Sequence, residues 1–167
     1  MSNSAANLYD LINVAQGQID NIAAVEYPAA GLTLTRSSTL AITTAGTQIT
    51  WQSEIRGYAI TWTGTTITIP TEGYYAIAVT IATVANTAIT IRLVTNTVNN
   101  QGAYTAVPFN TGGGFMSKAY FGVYLRTNDS FIISVNPAAN TTINVNNEFG
   151  AAPSPILHVV QLTGSVE

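Results

Sequence analysis

The spacing of apolar residues divides this chain into two parts. Up to about residue 28, apolar side chains recur every three or four residues, the spacing that places them on one face of a helix. This stripe consists of Leu8, Ile12, Ala15, Ile19 and Ile22. A helix this short is marginal by itself. The pattern therefore predicts an N-terminal segment, residues 1–28, that associates with other copies or anchors on a partner through Leu8, Ile12, Ile19 and Ile22. An amphipathic tail against its own domain, or an extended arm, fits the same residues.

From residue 29 to residue 167 the apolar positions alternate with polar ones, which indicates strands. Many short strands with Gly, Pro and Asn turns between them, and with no helical pattern, are typical of an antiparallel sandwich or jelly roll. The predicted strands are 32–35, 49–51, 58–62, 66–69, 74–84, 88–98, 116–125, 130–135, 141–145 and 156–162. We therefore expect one all-β, antiparallel jelly-roll domain over residues 29–167.

Three predicted strands are apolar or small on both faces, whereas a strand with one face in water alternates cleanly. They contain residues 74–81, 131–133 and 156–160. One face can pack against the second sheet, so we expect the other to face a second subunit. The predicted subunit interface consists of Tyr75, Ile77, Val79, Ile81, Phe131, Ile133, Ile156, His158, Val160 and Leu162. The strand with Thr90 and Arg92 on one side indicates an outer sheet instead.

The amino-acid composition argues against several classes of partner and site. Charged residues make up 8% of the chain, against about 25% in typical domains, which favours surface that is covered by other subunits. With five Lys and Arg residues and a net charge of −3, we expect no nucleic-acid partner. The absence of cysteine excludes disulfides, thiolate zinc sites and thiol catalysis. No apolar run reaches the length of about 18–20 residues that a membrane helix needs.

Few residues offer chemistry. His158 is the only histidine, and it would be a metal ligand or a pH sensor on a shared axis, or a packed interface histidine, which we favour. Ser154, His158 and Asp129 are the residue types of a catalytic triad, but the sequence has no G-x-S-x-G nucleophile elbow. No two carboxylates have the spacing of a general acid and base pair. The glycines at 112–114 lack the lysine of a phosphate loop. We expect no enzyme activity and no cofactor.

Aromatic residues are the remaining candidates for a binding surface. Aromatic side chains stack on sugar rings, and the candidates for such contacts are Trp51, Trp62, Tyr58 and Tyr120. Residues of these types more commonly pack in a core or a subunit interface. Tyr104 and Phe109 lie in a glycine-flanked segment, residues 99–114. Since loops commonly carry binding residues, we predict that these two form an exposed binding loop.

Three segments, taken in order, resemble one known family. Pro70 and Gly73 form a turn that Tyr74 follows, Leu125 to Asp129 read L-R-T-N-D, and the chain closes on an apolar strand at 156–162. This is similar to the jelly roll of the complement globular-head and tumour necrosis factor superfamily, which has a P-x-x-G-x-Y turn, an L-x-x-G-D hairpin and an apolar last strand. Asn128 replaces the family's glycine and also tolerates a positive φ.

The resemblance covers residues 31–162 and implies a homotrimer with a binding or structural role. One departure is Pro153-Ser-Pro155, where the family often has Ser-Gly before the last strand. Low charge, many Thr and Asn residues, no cysteine and no visible signal peptide resemble tailed-bacteriophage virion proteins. We expect a trimeric capsid decoration or cement protein that is made in the bacterial cytoplasm and lies on the virion surface.

Such a protein would contact the major capsid protein or another virion component. Two alternatives stay open. One is the receptor-binding knob of a tail or head fibre, which would recognise a host-surface glycan. The other is a bacterial surface or spore-coat adhesion head. Neither a membrane nor a nucleic acid is an expected partner of any of the three.

Overall fold

A computed structural model describes residues 30–85, 87–96, 103–106, 109–110, 116–145 and 155–162, with the backbone alone at 103–106 and 109–110. These residues form strands and turns, and none of them is helical. The predicted N-terminal segment, residues 1–28, lies outside the described residues together with Leu8, Ile12, Ile19 and Ile22. A search of the described part for a helix long and apolar enough to cross a membrane finds none.

The first of two large sheets has six strands. In spatial order they are β10 (Phe109–Asn110), β11 (Met116–Leu125), β7 (Gly73–Ala82), β14 (Ile156–Leu162), β1 (Gly31–Thr35) and β4 (Ser53–Tyr58). Neighbouring strands pair antiparallel throughout. The central strands are therefore β7 and β14, and β4 lies at one margin.

The second sheet faces the first. In spatial order it contains β5 (Thr61–Thr63), β6 (Thr66–Thr68), β12 (Ser130–Pro137), β8 (Ile89–Asn96) and β9 (Ala103–Ala106). The short strand β3 (Thr47–Gln48) also pairs with β12. A separate two-stranded sheet joins β2 (Leu40–Ile42) to β13 (Thr141–Ile143). The expected all-β, antiparallel sandwich is confirmed.

The core lies between the two large sheets and belongs to a single chain. On β7, alternate side chains point into it, and all four are buried: Tyr75, Ile77, Val79 and Ile81. Across the core, Phe131 and Ile133 of β12 are buried as well. Burial of each large apolar side chain contributes about 1.5–3 kcal/mol to stability. The inward faces of the two sheets therefore account for much of the stability of one chain.

This placement corrects the predicted subunit interface. Tyr75, Ile77, Val79, Ile81, Phe131 and Ile133 were expected to face a neighbour, but they fill the core of their own chain. Side chains alternate along a strand, so a residue that faces the second sheet cannot also face another subunit. When both faces of a strand are apolar, alternation alone does not say which face turns inward.

The predicted strand at 58–62 is interrupted by a tight turn. Ala59 has a φ of 64°, and the Ile60 N–H donates to the Tyr58 carbonyl at 2.8 Å, which closes a three-residue turn. The chain thereby leaves β4 in the first sheet and enters β5 in the second. The predicted strand at 49–51 is wrong, since these residues lie outside the strands, although Ile49 and Trp51 are buried.

Two turns meet at one end of the sandwich. Asn128 has a φ of 68°, which confirms the positive φ expected at the position where the family that the sequence resembles has glycine. At the turn that begins at Pro70, the aromatic side chain that points into the core is that of Tyr75, whereas Tyr74 is exposed. The Tyr75 hydroxyl donates to the Thr71 carbonyl at 2.6 Å, and burial raises the pKa of this hydroxyl.

The register gives the sandwich two distinct ends. Gly31 begins β1 opposite Val160 near the end of β14, and Gly73 begins β7 opposite Leu125. We call this end the base. The opposite end, the top, carries the connections at 83–88 and 138–140, which follow β7 and β12. The described domain therefore begins at its base, at Ala30.

Candidate subunit interface

The side of the six-stranded sheet that faces away from the core is called the open face. It consists of the outward side chains of β11, β7, β14 and β1, with those of β4 at its margin. Four of the ten predicted interface residues lie on the outward side of β14, where His158, Val160 and Leu162 are exposed and Ile156 is buried at 8% exposure. Because β14 is central in the sheet, they occupy the middle of this face.

An aromatic row crosses the open face near the base. Tyr124 pairs with Tyr74, and Tyr74 pairs with Leu162. The two tyrosine rings meet edge to face, with their centroids 5.1 Å apart and their planes at 70°, a favourable aromatic arrangement. About half of each of these side chains is exposed, at 48% for Tyr124, 51% for Tyr74 and 52% for Leu162. This row offers apolar surface that a lone chain leaves in water.

The next row is built from small residues. Gly122 pairs with Ala76, Ala76 with Val160, and Val160 with Gly31. A Cβ atom placed on Gly122 would meet no atom within 4 Å. Since the neighbouring outward residues of β11 are Tyr120 and Tyr124, Gly122 forms a notch between two exposed rings.

The third row carries the histidine. His158 lies between Ala78 of β7 and Thr33 of β1, and its Nδ1 is 3.1 Å from the Thr33 hydroxyl oxygen. Arg56 of β4 ends this row. Within the described residues, no group of three or more His, Cys, Asp or Glu side chains converges as a metal site. A metal held by His158 would therefore need ligands from beyond the described residues.

The opposite side of the sandwich is polar. The outward residues of β8 are Thr90, Arg92, Val94 and Asn96, and those of β12 include Ser134 and Asn136. The prediction that Thr90 and Arg92 mark an outer face is therefore confirmed. None of the exposed large hydrophobic side chains in the described part of the chain lies on these two strands, whereas five lie on the open face between β11 and β14. The two sides of the molecule thus differ in what they can bind.

Strand β4 extends beyond the core at the margin of the open face. All six of its residues are exposed, and they include Ile55 and Tyr58. Glu54 turns toward the second sheet, where its Oε2 accepts a hydrogen bond from Trp62 Nε1 at 2.9 Å. This bond joins the outer strands of the two sheets, β4 and β5.

The predicted aromatic sites divide between the core and the surface. Trp51 is in the core, and its Nε1 has no hydrogen-bond partner. Trp62 is half-buried, whereas Tyr58 and Tyr120 are exposed.

The predicted binding loop is corrected in part. Tyr104 lies in β9 and Phe109 in β10, so both belong to short edge strands rather than to one loop. β9 pairs with β8, and β10 pairs with β11. These backbone pairings account for the two strands, which are too short to show an alternating pattern. The position of the two aromatic side chains lies outside the described part of the structure.

The prediction missed Tyr74 and Tyr124, although a signal for Tyr74 was present. On 74–81, the large residues Tyr75, Ile77, Val79 and Ile81 alternate with the small residues Ala76 and Ala78. Large side chains fill a core better than small ones, so the larger set marks the inner face. That choice turns Tyr74 outward, together with the residues that pair with it.

Comparison with solved structures identifies the fold. Crystalline murine APRIL matches with a TM-score of 0.59 and 14% identity, over 80% of this chain and 98% of that one. The fold is the tumour necrosis factor and complement globular-head jelly roll. The globular domain of zebrafish complement 1qA matches with a TM-score of 0.53 and 10% identity, over 82% and 98% of the two chains.

A vertex protein is also among the similar structures. The PRD1 vertex protein P5 matches with a TM-score of 0.57 and 12% identity, over 83% of this chain and 100% of that one. No family model matches the sequence, and no curated protein matches it. At these identities the comparison establishes the fold, and function has to be argued from the surface.

Proposed function

We propose that this chain is a non-enzymatic structural protein that forms a homotrimer, with the open faces of three copies turned toward a common axis. The observation that carries the proposal is the contrast between the two sides of the sandwich. Five exposed large hydrophobic residues share the open face: Tyr74, Tyr120, Tyr124, Val160 and Leu162. The other side presents mainly Thr, Ser, Asn and Arg, and its apolar residues Val94 and Ile132 are half-buried. A contiguous apolar patch of this kind is typical of a protein–protein interface.

In such a trimer the central strand β14 lies nearest the axis. His158 and Val160 of three copies then approach one another, and the interface residues become Ile156, His158, Val160 and Leu162 with Tyr74, Tyr120 and Tyr124. The interface thereby moves to the face opposite the buried residues of β7 and β12. Three is the expected number of copies because the complement and tumour necrosis factor jelly rolls that the sequence resembles are trimers.

The proposed place of the trimer is the surface of a tailed-bacteriophage virion. Support comes from the similarity to the PRD1 vertex protein P5, from the low fraction of charged residues, 8%, and from the place where the described domain begins, at Ala30 in the base. An anchor at the base contacts the shell or another virion component, and the top points outward. In this role the protein acts as a capsid decoration or cement protein.

Sedimentation equilibrium of the purified chain tests the trimer. We expect three times 17.6 kDa, about 53 kDa. Gly122→Glu should yield monomers, because a carboxylate in the notch enters open space in the single chain but is buried in the trimer. The matched control is Asn96→Glu, an exposed position on the polar side, which should remain trimeric. A monomeric wild-type chain would refute the proposal.

The virion role requires a separate measurement. Purified trimer is added to phage shells that lack the protein, and bound copies per shell and the melting temperature of the shell are recorded. A cement protein is expected to bind in hundreds of copies and to raise the melting temperature. Binding in tens of copies without a change in shell stability, together with competition for host cells, would favour a fibre knob instead. Absence of any affinity for shells would contradict both virion roles.

A further inference from the structure

The exposed large hydrophobic side chains that lie on the described strands of the first sheet form two groups, which are separated by β1. The first group is the open face from β11 to β14. The second consists of Ile55 and Tyr58 of β4, which are 60% and 68% exposed. One further such residue, Val84, lies outside the sheet in the connection after β7. The margin strand β4 thus carries apolar surface that its own chain does not cover.

The geometry of β4 does not favour the addition of another strand. Its pairing with β1 shifts register between Thr33 and Leu34, since these adjacent residues pair with Arg56 and Glu54. Ile55 is therefore the extra residue of a β-bulge. Bulges at sheet edges hinder edge-to-edge pairing. A partner of β4 would therefore contact its side chains rather than extend its backbone hydrogen bonds.

In a ring of three copies, the partner of β4 is the neighbouring copy. In a closed ring of three copies each contact is heterologous, so it joins two different patches of the same chain. When three sheets turn their open faces to one axis, the β4 margin of one copy meets the β11 side of the next, where, within the described residues, β10 pairs only with Ser117 and Lys118. This step rests on the trimer proposed above. The two apolar groups are the two halves that such a contact requires.

The register fixes which residues meet. Gly31 pairs with Tyr58 on one side and with Val160 on the other, and that row continues through Ala76 to Gly122. A rotation axis that runs along the strands keeps every row at its own height. Tyr58 of one copy therefore arrives at the height of Gly122 of the next copy, where the notch is open.

The adjacent row gives a second contact. Arg56 lies in the row of His158 and Ala78, which ends at Tyr120 on β11. A guanidinium over the face of a tyrosine ring is attracted by about 0.5–2 kcal/mol, depending on desolvation. We propose that Tyr58 of one copy fills the notch at Gly122 of the next copy, with Arg56 against Tyr120, so that β4 and β11 form the contact between copies.

The chain contains no cysteine, so an engineered pair reports this contact directly. The test uses the full chain with Tyr58→Cys and Gly122→Cys, oxidised and separated on a non-reducing gel. Within one chain the two positions lie four strand spacings apart, about 19 Å. A disulfide requires Cα atoms within about 7 Å. An internal bond is therefore impossible, and crosslinked species report contacts between copies.

We expect the double variant to give covalent dimers and closed trimers that a reductant returns to monomers. Tyr58→Cys alone and Gly122→Cys alone should stay monomeric on the gel, because a heterologous contact does not bring identical residues together. The control pair, Asn96→Cys with Gly122→Cys, places one thiol on the polar side and should not crosslink. Crosslinking of the control at the same rate would overturn the proposal.

Sedimentation of the same proteins separates the two ways of failing. A trimeric wild-type and a trimeric double variant that does not crosslink would refute the β4–β11 contact and leave the trimer in place. A monomeric wild-type chain would refute both. Crosslinking of Tyr58→Cys alone would also contradict the contact, since it would show that two β4 strands face each other.

Discussion

The buried carboxylate of Asp129 closes a turn by accepting a hydrogen bond from the Arg126 N–H, with 2.8 Å between Oδ2 and N. The Asp129 N–H in turn donates to the Arg126 carbonyl at 3.0 Å. Two further backbone bonds of 2.9 Å join the turn to Ile69, one from the Asn128 N–H and one to the Asp129 carbonyl. Ile69 directly precedes the turn that begins at Pro70, so the two turns at the base are held together.

Replacement of Asp129 should therefore destabilise the fold. Asp129→Ala removes a hydrogen bond to a charged group, which contributes about 1.5–3 kcal/mol. We expect a loss of that size in the free energy of unfolding, measured by urea denaturation. Asp129→Asn keeps a side-chain acceptor and should lose less. The control Asn96→Ala, at an exposed position, should change stability by no more than about 0.5 kcal/mol. Equal effects of Asp129→Ala and Asn96→Ala would contradict this role.

The buried hydroxyl of Tyr75 should make the protein sensitive to alkali. Burial raises its pKa above the ordinary value of 10.0, so the folded state holds this proton more tightly than the unfolded state does. This contribution to stability is complete below the ordinary pKa and is lost as the pH rises through the raised pKa. We expect the free energy of unfolding to fall above about pH 10.

A substitution separates Tyr75 from the other tyrosines. Tyr75→Phe loses the hydrogen bond to Thr71, which costs about 0.5–1.5 kcal/mol at neutral pH, but it should resist alkali better than the wild type. Tyr124→Phe, at an exposed position, should keep the wild-type alkaline profile. Urea denaturation at pH 8 and at pH values from 10 upward measures both. An unchanged alkaline slope in Tyr75→Phe would show that another group is responsible.

The strands that could be predicted from the sequence are the long ones. The predicted bounds of β11 and β14, residues 116–125 and 156–162, agree with the structure because ten and seven residues carry a clear pattern. Strands β2 and β3 contain three and two residues, too few for any period, and their pairing depends on strands that are distant in sequence. Local pattern therefore indicates strands that are long enough to repeat.

The candidate interface was harder to predict because it depends on pairing across strands. Tyr74 and Tyr124 are fifty residues apart, and their rings meet because β7 pairs with β11 in one register. The notch at Gly122 likewise exists because that register places Ala76 beside it. A glycine in a strand gives no such information by itself. The sequence predicts that some face is covered, and the register shows which face carries the exposed apolar residues.

Arg36 should resist even a conservative substitution. Its guanidinium donates to the carbonyls of Ser38 at 2.7 Å, of Thr50 at 2.6 Å and of Thr39 at 3.3 Å. These bonds join the connection after β1 to the one before β4. A lysine ammonium is compact and cannot span these acceptors as a planar guanidinium does. Arg36→Lys should therefore lower the free energy of unfolding by about 1–3 kcal/mol, measured by urea denaturation.

The control for this substitution is Arg92→Lys on β8, where the arginine is exposed on the polar side. We expect a change of no more than about 0.5 kcal/mol there. If both substitutions had the same small effect, the hydrogen bonds of Arg36 would not contribute measurably to stability.

The bond between Glu54 and Trp62 can be tested with a double-mutant cycle, since it joins the outer strands of the two sheets. Glu54→Ala removes the acceptor, and Trp62→Phe keeps an aromatic ring while it removes the N–H donor. If the bond at 2.9 Å stabilises the fold, the two losses should not add, and the coupling free energy should be about 0.5–3 kcal/mol. Pairing Trp62→Phe with Glu72→Ala provides the control, because the structure shows no bond between those two side chains, and additive effects are expected there. Strict additivity in the Glu54 cycle would show that this hydrogen bond does not contribute measurably to stability.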